Sequence, residues 1–326
     1  MQWFENLYTE ALLGDVSPRI YVYTGEDCAP LALFCATHAQ QPGTLTSLTN
    51  FYSLEFGLSG VCRDADYRRK ALSEIATQIA GERHAIIDLR LLLNGEVETV
   101  DTLNAFTAAG YRCETYFQFE NWIRRDSDVG GGSFEDYYAS LPSKLRNTVR
   151  RKGKRLERDY AVRVEVLREP GEALDVAIRH YVQVYDRSWK EPEPFAGFMP
   201  GLIRLAATLG ALTLGVLYLD DAPVAAQVWL HEPGRTVIYK LAYDEEFKHT
   251  SAGTVLSRAL FEDSFMRRDI GVIDYGVGNE AYKRDWMTEK RRMIGVRGSH
   301  SGTLKGRVAI AMASVRRLAK KLLGRG

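Results

Sequence analysis

The stretch that most restricts the fold runs from Gly210 to Leu260. Three apolar segments, GALTLGVLYL, VAAQVWLH and TVIYKLAYD, are separated only by the turns DDAP and EPGR. Turns this short leave no room for a crossover, so the segments pair as antiparallel strands. The third runs into a polar loop, EEFKHTSAG, and then a helix expected over about Gly253 to Arg268. A strand that feeds a loop and a helix aims the unpaired N–H groups of the first helical turn, with the positive end of the helix dipole, at whatever lies above it. A phosphate is favoured there. Gly253 permits close approach, Ser251 and Thr250 add hydroxyls, and Lys248 adds a cation. The same residues also fit a plainer role, in which Ser251 caps the helix.

The surrounding elements follow from periodicity. After the helix come a buried strand, GVIDYG, a loop, VGNE, a short helix, AYKRDWMTEK, and a strand, RRMIGVRG. Ahead of the three strands lie the helices SFEDYYASL, PSKLRNTVRRKGKRLERDY and GEALDVAIRHYVQVYDRSW. In the last of these Ile178, Tyr181, Val182, Tyr185 and Trp189 share one face. The clearest break is RRDSDVGGGSFEDYY, where Gly130 to Gly132 precede Ser133 and Asp136 at the spacing of a capping box. Lacking the Lys-Ser/Thr of a P-loop, this glycine run reads as a hinge. Upstream, RIYVYTG, APLALFCATH, YRRKALSEIATQIAGE, AIIDLRLLL, VETVDTLNAFTAAG and a strand from Tyr111 read as an α/β unit without recognisable chemistry. The expected division is residues 1–129, 130–300 and a basic tail, 301–326.

Composition narrows the function. With 326 residues, 45% hydrophobic and 26% charged, the chain has a globular profile and the length of two domains. A net charge of +1 gives no global attraction for nucleic acid. No secretory signal is readable and no apolar run approaches the roughly 18 residues of a membrane span, so a cytoplasmic protein is expected. Cys28, Cys35, Cys62 and Cys113 show no metal-ligand spacing, and no metal site is read. Neither a P-loop nor G-x-S-x-G is present.

Two segments concentrate positive charge. Between Lys144 and Arg158 there are eight Lys or Arg residues and one acid, with Leu145, Val149 and Leu156 as a narrow apolar stripe. This face is either solvated or set against an anionic ligand. The tail LKGRVAIAMASVRRLAKKLLGRG has seven Lys or Arg and no acid, and its apolar side fits either packing on the domain or an anionic membrane surface.

The order of three antiparallel strands, loop, helix, strand, short helix and strand resembles the acyl-CoA-binding core of the GNAT acyltransferase superfamily. There an Arg/Gln-x-x-Gly-x-Gly/Ala loop holds the pyrophosphate of acetyl-CoA. On this chain the pattern falls on Lys248, Ser251 and Gly253, of which the first two depart from it. DYGVGNEAYKRDW resembles the superfamily's stretch with a tyrosine that protonates the leaving thiolate, here Tyr282. Together with SFEDYYASLPSKLRNTVRRKGKRLE, DRSW and LAYDEEFKHTSAGTVL, it is similar to the branch associated with cellulose and exopolysaccharide synthesis, which carries a duplicated GNAT-like fold. Fem-type peptidyltransferases share that doubled fold and take their acyl group from aminoacyl-tRNA.

The resemblance implies an α/β (α+β) protein of two GNAT-like domains, each a mixed, mostly antiparallel sheet flanked by helices, the first degenerate. It implies an N-acyltransferase using acetyl-CoA or another acyl-CoA on an amine acceptor such as a small-molecule or lipid-linked sugar. Donor contacts would come from the backbone near Leu241 and Tyr243 and from Lys248, His249, Thr250, Ser251, Gly253 and Thr254. Tyr282 would be the acid and Asp244 or Asp274 the base, while Arg146, Arg150, Arg151, Trp189, Lys240 and Lys283 would meet the acceptor. Plainer roles remain open: Asp244 as a turn residue, Asp274 as a partner for a cation, Tyr282 as packing, His249 as a surface residue. A Fem-like transferase that binds tRNA and a non-catalytic scaffold of a polysaccharide synthase are the alternatives.

Overall fold

The computed structural model describes residues 2–12, 14–26, 29–62, 64–125, 133–267 and 271–322. The chain forms two units, residues 1–12 with 121–290, and residues 13–120 with 291–326. This differs from the expected break at 129/130. The strand read from RRMIGVRG joins the first half of the chain, and so does the basic tail, which is not a separate piece. Pairing across about 200 residues leaves no local mark in composition. Gly130 to Gly132 lie outside the described residues.

The unit built mainly from the first half contains β1 (Val16–Tyr23), β2 (Leu31–His38), β3 (Thr44–Ser47), α2 (Ala65–Gly81), β4 (Ile86–Leu93) and α3 (Val97–Ala108). The start of β5 (Tyr111–Arg125) belongs to it as well. β1, β2 and β3 form an antiparallel meander, and β3 pairs in parallel with β4 around the crossover through α2. β11 (Glu289–His300), from the far end of the chain, closes β4 in antiparallel pairing. Ala71, Leu72, Ile75, Ala76 and Ile79 of α2 recur at helical spacing and are buried in the core with Leu33, Ile87, Leu89 and Val296. Asp64 caps α2, its carboxylate accepting from the amides of Asp66 and Tyr67.

The second unit repeats that plan. α1 (Gln2–Ala11) packs on it through Trp3, edge-on to Phe198 at 5.5 Å. Ser133 and Asp136 form the expected capping box at the start of α4 (Phe134–Ser140). α5 (Ser143–Asp159) buries Leu145, Val149 and Leu156, as its stripe predicts. β6 (Val162–Leu167), α6 (Glu172–Asp186), α7 (Phe198–Thr208), β7 (Leu212–Leu219), β8 (Ala222–Glu232) and β9 (Arg235–Tyr243) follow. β6 to β9 form an antiparallel meander, joined through α8 (Ala252–Met266) to β10 (Val272–Val277), which is parallel to β9. The last residues of β5 close β10.

All eight residues of β7 are buried, which accounts for its unbroken apolar run. Gly215 is the one position in it where no side chain fits: a Cβ there would lie 2.7 Å from Leu260 of α8. The core beneath α8 stacks Phe261 on Trp286 at 4.7 Å and sets Trp229 edge-on to Phe261 at 5.0 Å. Each such ring, fully buried, stabilises the fold by about 1.5–3 kcal/mol. β6 and α7 were not marked by the sequence patterns. β6 lies at the edge, where Arg163 and Val164 are exposed and Glu165, half-buried, accepts from the Tyr218 hydroxyl, and Pro200 falls in the first turn of α7, where it costs no hydrogen bond.

Candidate active site

β9 and β10 are joined by only three residue pairs, Arg235–Val272, Thr236–Ile273 and Val237–Asp274. Beyond Val237, β9 runs on to Tyr243 with no further partner on β10, so the parallel strands part. The cavity associated with this parting, of about 470 Å³, is lined by Leu241 and Tyr243 of β9, Lys248, Ser251, Gly253 and Thr254 of the loop and α8, Tyr275 of β10, and Tyr282 and Trp286 beyond it. Trp189, Lys144 and Thr148 also line it.

The first turn of α8 decides between cap and cradle. Ser251, in the left-handed region at φ 61°, makes no side-chain cap. Thr250 is the hydroxyl that accepts from an amide there, that of Ala252 at 3.2 Å, and it donates to Phe247 O at 2.6 Å. No described group accepts from the Gly253 N–H. A Cβ at Gly253 would lie 3.3 Å from the Tyr243 ring, so glycine keeps the start of α8 close to that wall of the cavity. From below, buried Gln227 holds the turn in place, donating to Gly253 O at 3.1 Å and Ser257 Oγ at 2.8 Å and accepting from Trp229 Nε1 at 2.9 Å. A helix start that lines a cavity, is held by Gln227 and leaves the Gly253 N–H without a described acceptor suits an anion.

The comparisons bear on this geometry. Residues 143–284 match the family model described as "Acetyltransferase (GNAT) domain". The match falls within the second unit, whose strand plan the first unit repeats. Among solved structures, FemX is similar at TM-score 0.63 and 13% identity, over 91% of this chain and 90% of that one. The L-PGS of Bacillus licheniformis is similar at TM-score 0.57 and 14% identity, over 97% and 96%. No curated protein matches.

Set against the GNAT expectations, Leu241, Tyr243, Lys248, Ser251, Gly253, Thr254, Trp189 and Tyr282 come together around one cavity. Trp189 is not on the buried face of α6, as its spacing predicts. It lies past the helix end and sets its ring 4.3 Å from that of Tyr243. Thr250 is buried in the loop, and His249 is exposed and meets Lys152 through its carbonyl.

Neither aspartate lines the cavity. Asp244 is buried as the cap of the 3-10 turn Glu245–Thr250, accepting from Glu246 N, with Arg187 at 3.5 Å. Asp274 is 1% exposed, held by Arg235 at 2.6 Å and by Asn121 and Gly276 N at 2.9 Å each. Both are engaged in pairings within the fold, Asp244 with Arg187 and Asp274 with Arg235. Of the basic helix, Arg146 and Arg150 line a separate groove of about 540 Å³ with Lys154 and Arg258, and Arg151 is exposed and lines neither.

Lys240 and Lys283 stand beside the cavity, each with its own carboxylate, Glu193 and Glu280, at 2.8 Å. Burial lowers both ammonium groups, against the pull of those carboxylates. Between them the structure brings in Lys190, a residue the sequence patterns did not single out. Its Nζ lies 5.7 Å from the rings of both Tyr185 and Trp189. Burial first, then the charge of Lys240, pushes its pKa down to about 8. Its only sequence signal is its place next to Trp189. Tyr275 and Ser257, also on the cavity wall, carried no signal apart from neighbouring motif residues.

Proposed function

We propose that this chain is an N-acyltransferase that moves an acyl group, acetyl in the simplest case, from acyl-CoA to an amine acceptor such as an amino sugar of envelope or exopolysaccharide assembly. The observation that carries this reading is the start of α8, where Gly253 lines the cavity beside Leu241 and Tyr243 of β9 and its N–H has no described acceptor. The pyrophosphate would lie on that turn and the thioester against β9 near Leu241 to Tyr243. The amine attacks the thioester carbonyl, a β9 backbone N–H steadies the oxyanion, and the carbon–sulfur bond then breaks. Tyr282 is the proton source for the thiolate. Partial burial, with Glu280 and Tyr243 nearby, raises its hydroxyl above the ordinary range, so it remains protonated at neutral pH. With both aspartates engaged elsewhere, the role of proton acceptor falls in this reading to Lys190, beside Trp189 of the cavity wall.

Titration calorimetry with acetyl-CoA and longer acyl-CoAs tests the donor. Absence of binding by all of them would sink the reading. Tyr282→Phe is expected to lower kcat by about 100-fold while leaving the acyl-CoA Kd within about twofold. Turnover that survives the substitution would return Tyr282 to packing.

Lys190→Met is expected to remove an inflection near pH 8 from the kcat/KM profile. The same residue predicts a stability effect. A lysine whose folded pKa sits below its unfolded value binds fewer protons in the folded state between the two, so its penalty is full below about pH 8 and fades toward about pH 10. Lys190→Met should accordingly melt higher than the parent at pH 7, with the gap closing as pH rises. Parallel melting profiles would show that Lys190 is not charged at a cost.

A second reading has one observation in its favour, the groove with Arg146, Arg150, Lys154 and Arg258. Four cations along a groove suit a run of phosphates, and the donor would then be aminoacyl-tRNA. Salt-sensitive tRNA binding without any response to acyl-CoA would put this reading first.

A further inference from the structure

The last helix, α10 (Leu304–Leu322), has two unlike sides. On one, Gly306 is buried and Ala309, Ile310 and Ala313 are partly covered. Gly306 meets the backbone of His300 so closely that a Cβ would lie 2.1 Å from its carbonyl oxygen, which fixes this side inward. On the other, Leu304, Val308, Met312 and Val315 fall four, four and three residues apart and are 73%, 51%, 53% and 66% exposed. Four large apolar side chains in one outward stripe are unusual on a surface facing water alone.

Charge identifies what covers the stripe. Residues 301–326 hold seven Lys or Arg and no Asp or Glu, in a chain whose net charge is only +1. Arg307 and Arg316 are exposed at either end of the stripe, and Lys305, also exposed, donates to Pro42 O at 2.7 Å. An all-cationic helix with an apolar outer side matches a surface that is anionic above and hydrocarbon below. A nucleic-acid backbone would satisfy the charge and leave the apolar stripe in water. No helix among the described residues is long and apolar enough to cross a membrane, so the contact is one of lying on the bilayer.

We propose that α10 seats the protein on an anionic lipid surface, its stripe from Leu304 to Val315 entering the headgroup region and its Arg and Lys side chains meeting lipid phosphates. This holds whatever the donor or acceptor of the catalytic unit.

The test is co-sedimentation of the full chain with vesicles of phosphatidylcholine containing about 30% phosphatidylglycerol, beside vesicles of phosphatidylcholine alone. Binding is expected to the first and at least tenfold weaker to the second, and to fall in about 0.5 M salt. Val308→Glu with Met312→Glu should lower binding at least tenfold and leave the melting temperature unchanged, because both side chains are exposed. A Val308→Trp variant gives an independent readout, a blue shift on the anionic vesicles and quenching by brominated lipid. No sedimentation with anionic vesicles overturns the proposal, as does unchanged binding by the double variant. A dimer that the double variant dissolves, without vesicle binding, assigns the stripe to a second copy instead, and tRNA binding without vesicle binding assigns the charge to RNA.

Discussion

Gly253→Asp is expected to weaken acyl-CoA binding by about 100-fold or more in calorimetry. The substitution fills the opening at the start of α8 and sets a carboxylate where the pyrophosphate would accept from the Gly253 N–H. Losing one or two hydrogen bonds to a charged group, each worth about 1.5–3 kcal/mol, already reaches that factor. The fold should survive. An acid in the first turn favours the helix dipole, and replacing glycine restricts the unfolded chain. The new Cβ lies 3.3 Å from the Tyr243 ring, a contact that a shift of a few tenths of an ångström relieves. A melting temperature near the parent's with binding lost is the expected pair of results. Binding retained in the variant would mean that no phosphate sits on this turn.

Arg235→Met is expected to destabilise the protein by about 3–5 kcal/mol, the scale for a buried ion left without its partner. It removes the cation from Asp274 Oδ2 at 2.6 Å and leaves a carboxylate that is 1% exposed. For a unit of this size that amounts to a fall in Tm of roughly 10 °C. Asp274→Asn supplies the contrast. If Asp274 were the catalytic base, it would abolish turnover at nearly constant Tm; if it is structural, stability should fall and the folded fraction should still turn over. Calorimetric melting alongside single-turnover assays separates the two.

How much of this was legible depends on the distance over which each feature is written. The meander of β7 to β9 could be read because its turns are short, and the start of α8 because loop, glycine and apolar period are contiguous. The capping box of α4 was likewise local. The roles of Asp244 and Asp274 were not, because they rest on Arg187 and Arg235, 57 and 39 positions away. Lys190 escaped notice for a related reason. A lysine in sequence is a surface residue by default, and its burial arises only where Tyr185, Trp189 and Lys240 converge. Trp189 carried the right residue type but the wrong periodicity, since α6 ends at Asp186 before the ring turns to Tyr243.

The helix starts in the two repeats also differ in a way that only the folded chain reveals. In the first-half unit, the helix that follows the meander, α2, has its amides filled by Asp64, a fixed anion of the chain itself. At α8 the equivalent place carries no such side chain. One copy holds an anion of its own chain at its helix start, and the other does not.

The exchange of closing strands has a consequence for synthesis. β4 is completed by β11, and the residues of that strand leave the ribosome only after the whole catalytic unit has been made. The first-half sheet therefore waits with one edge bare through most of translation, while the second-half sheet finds its closing strand, the end of β5, already present. Order of manufacture and order of completion run in opposite directions along this chain.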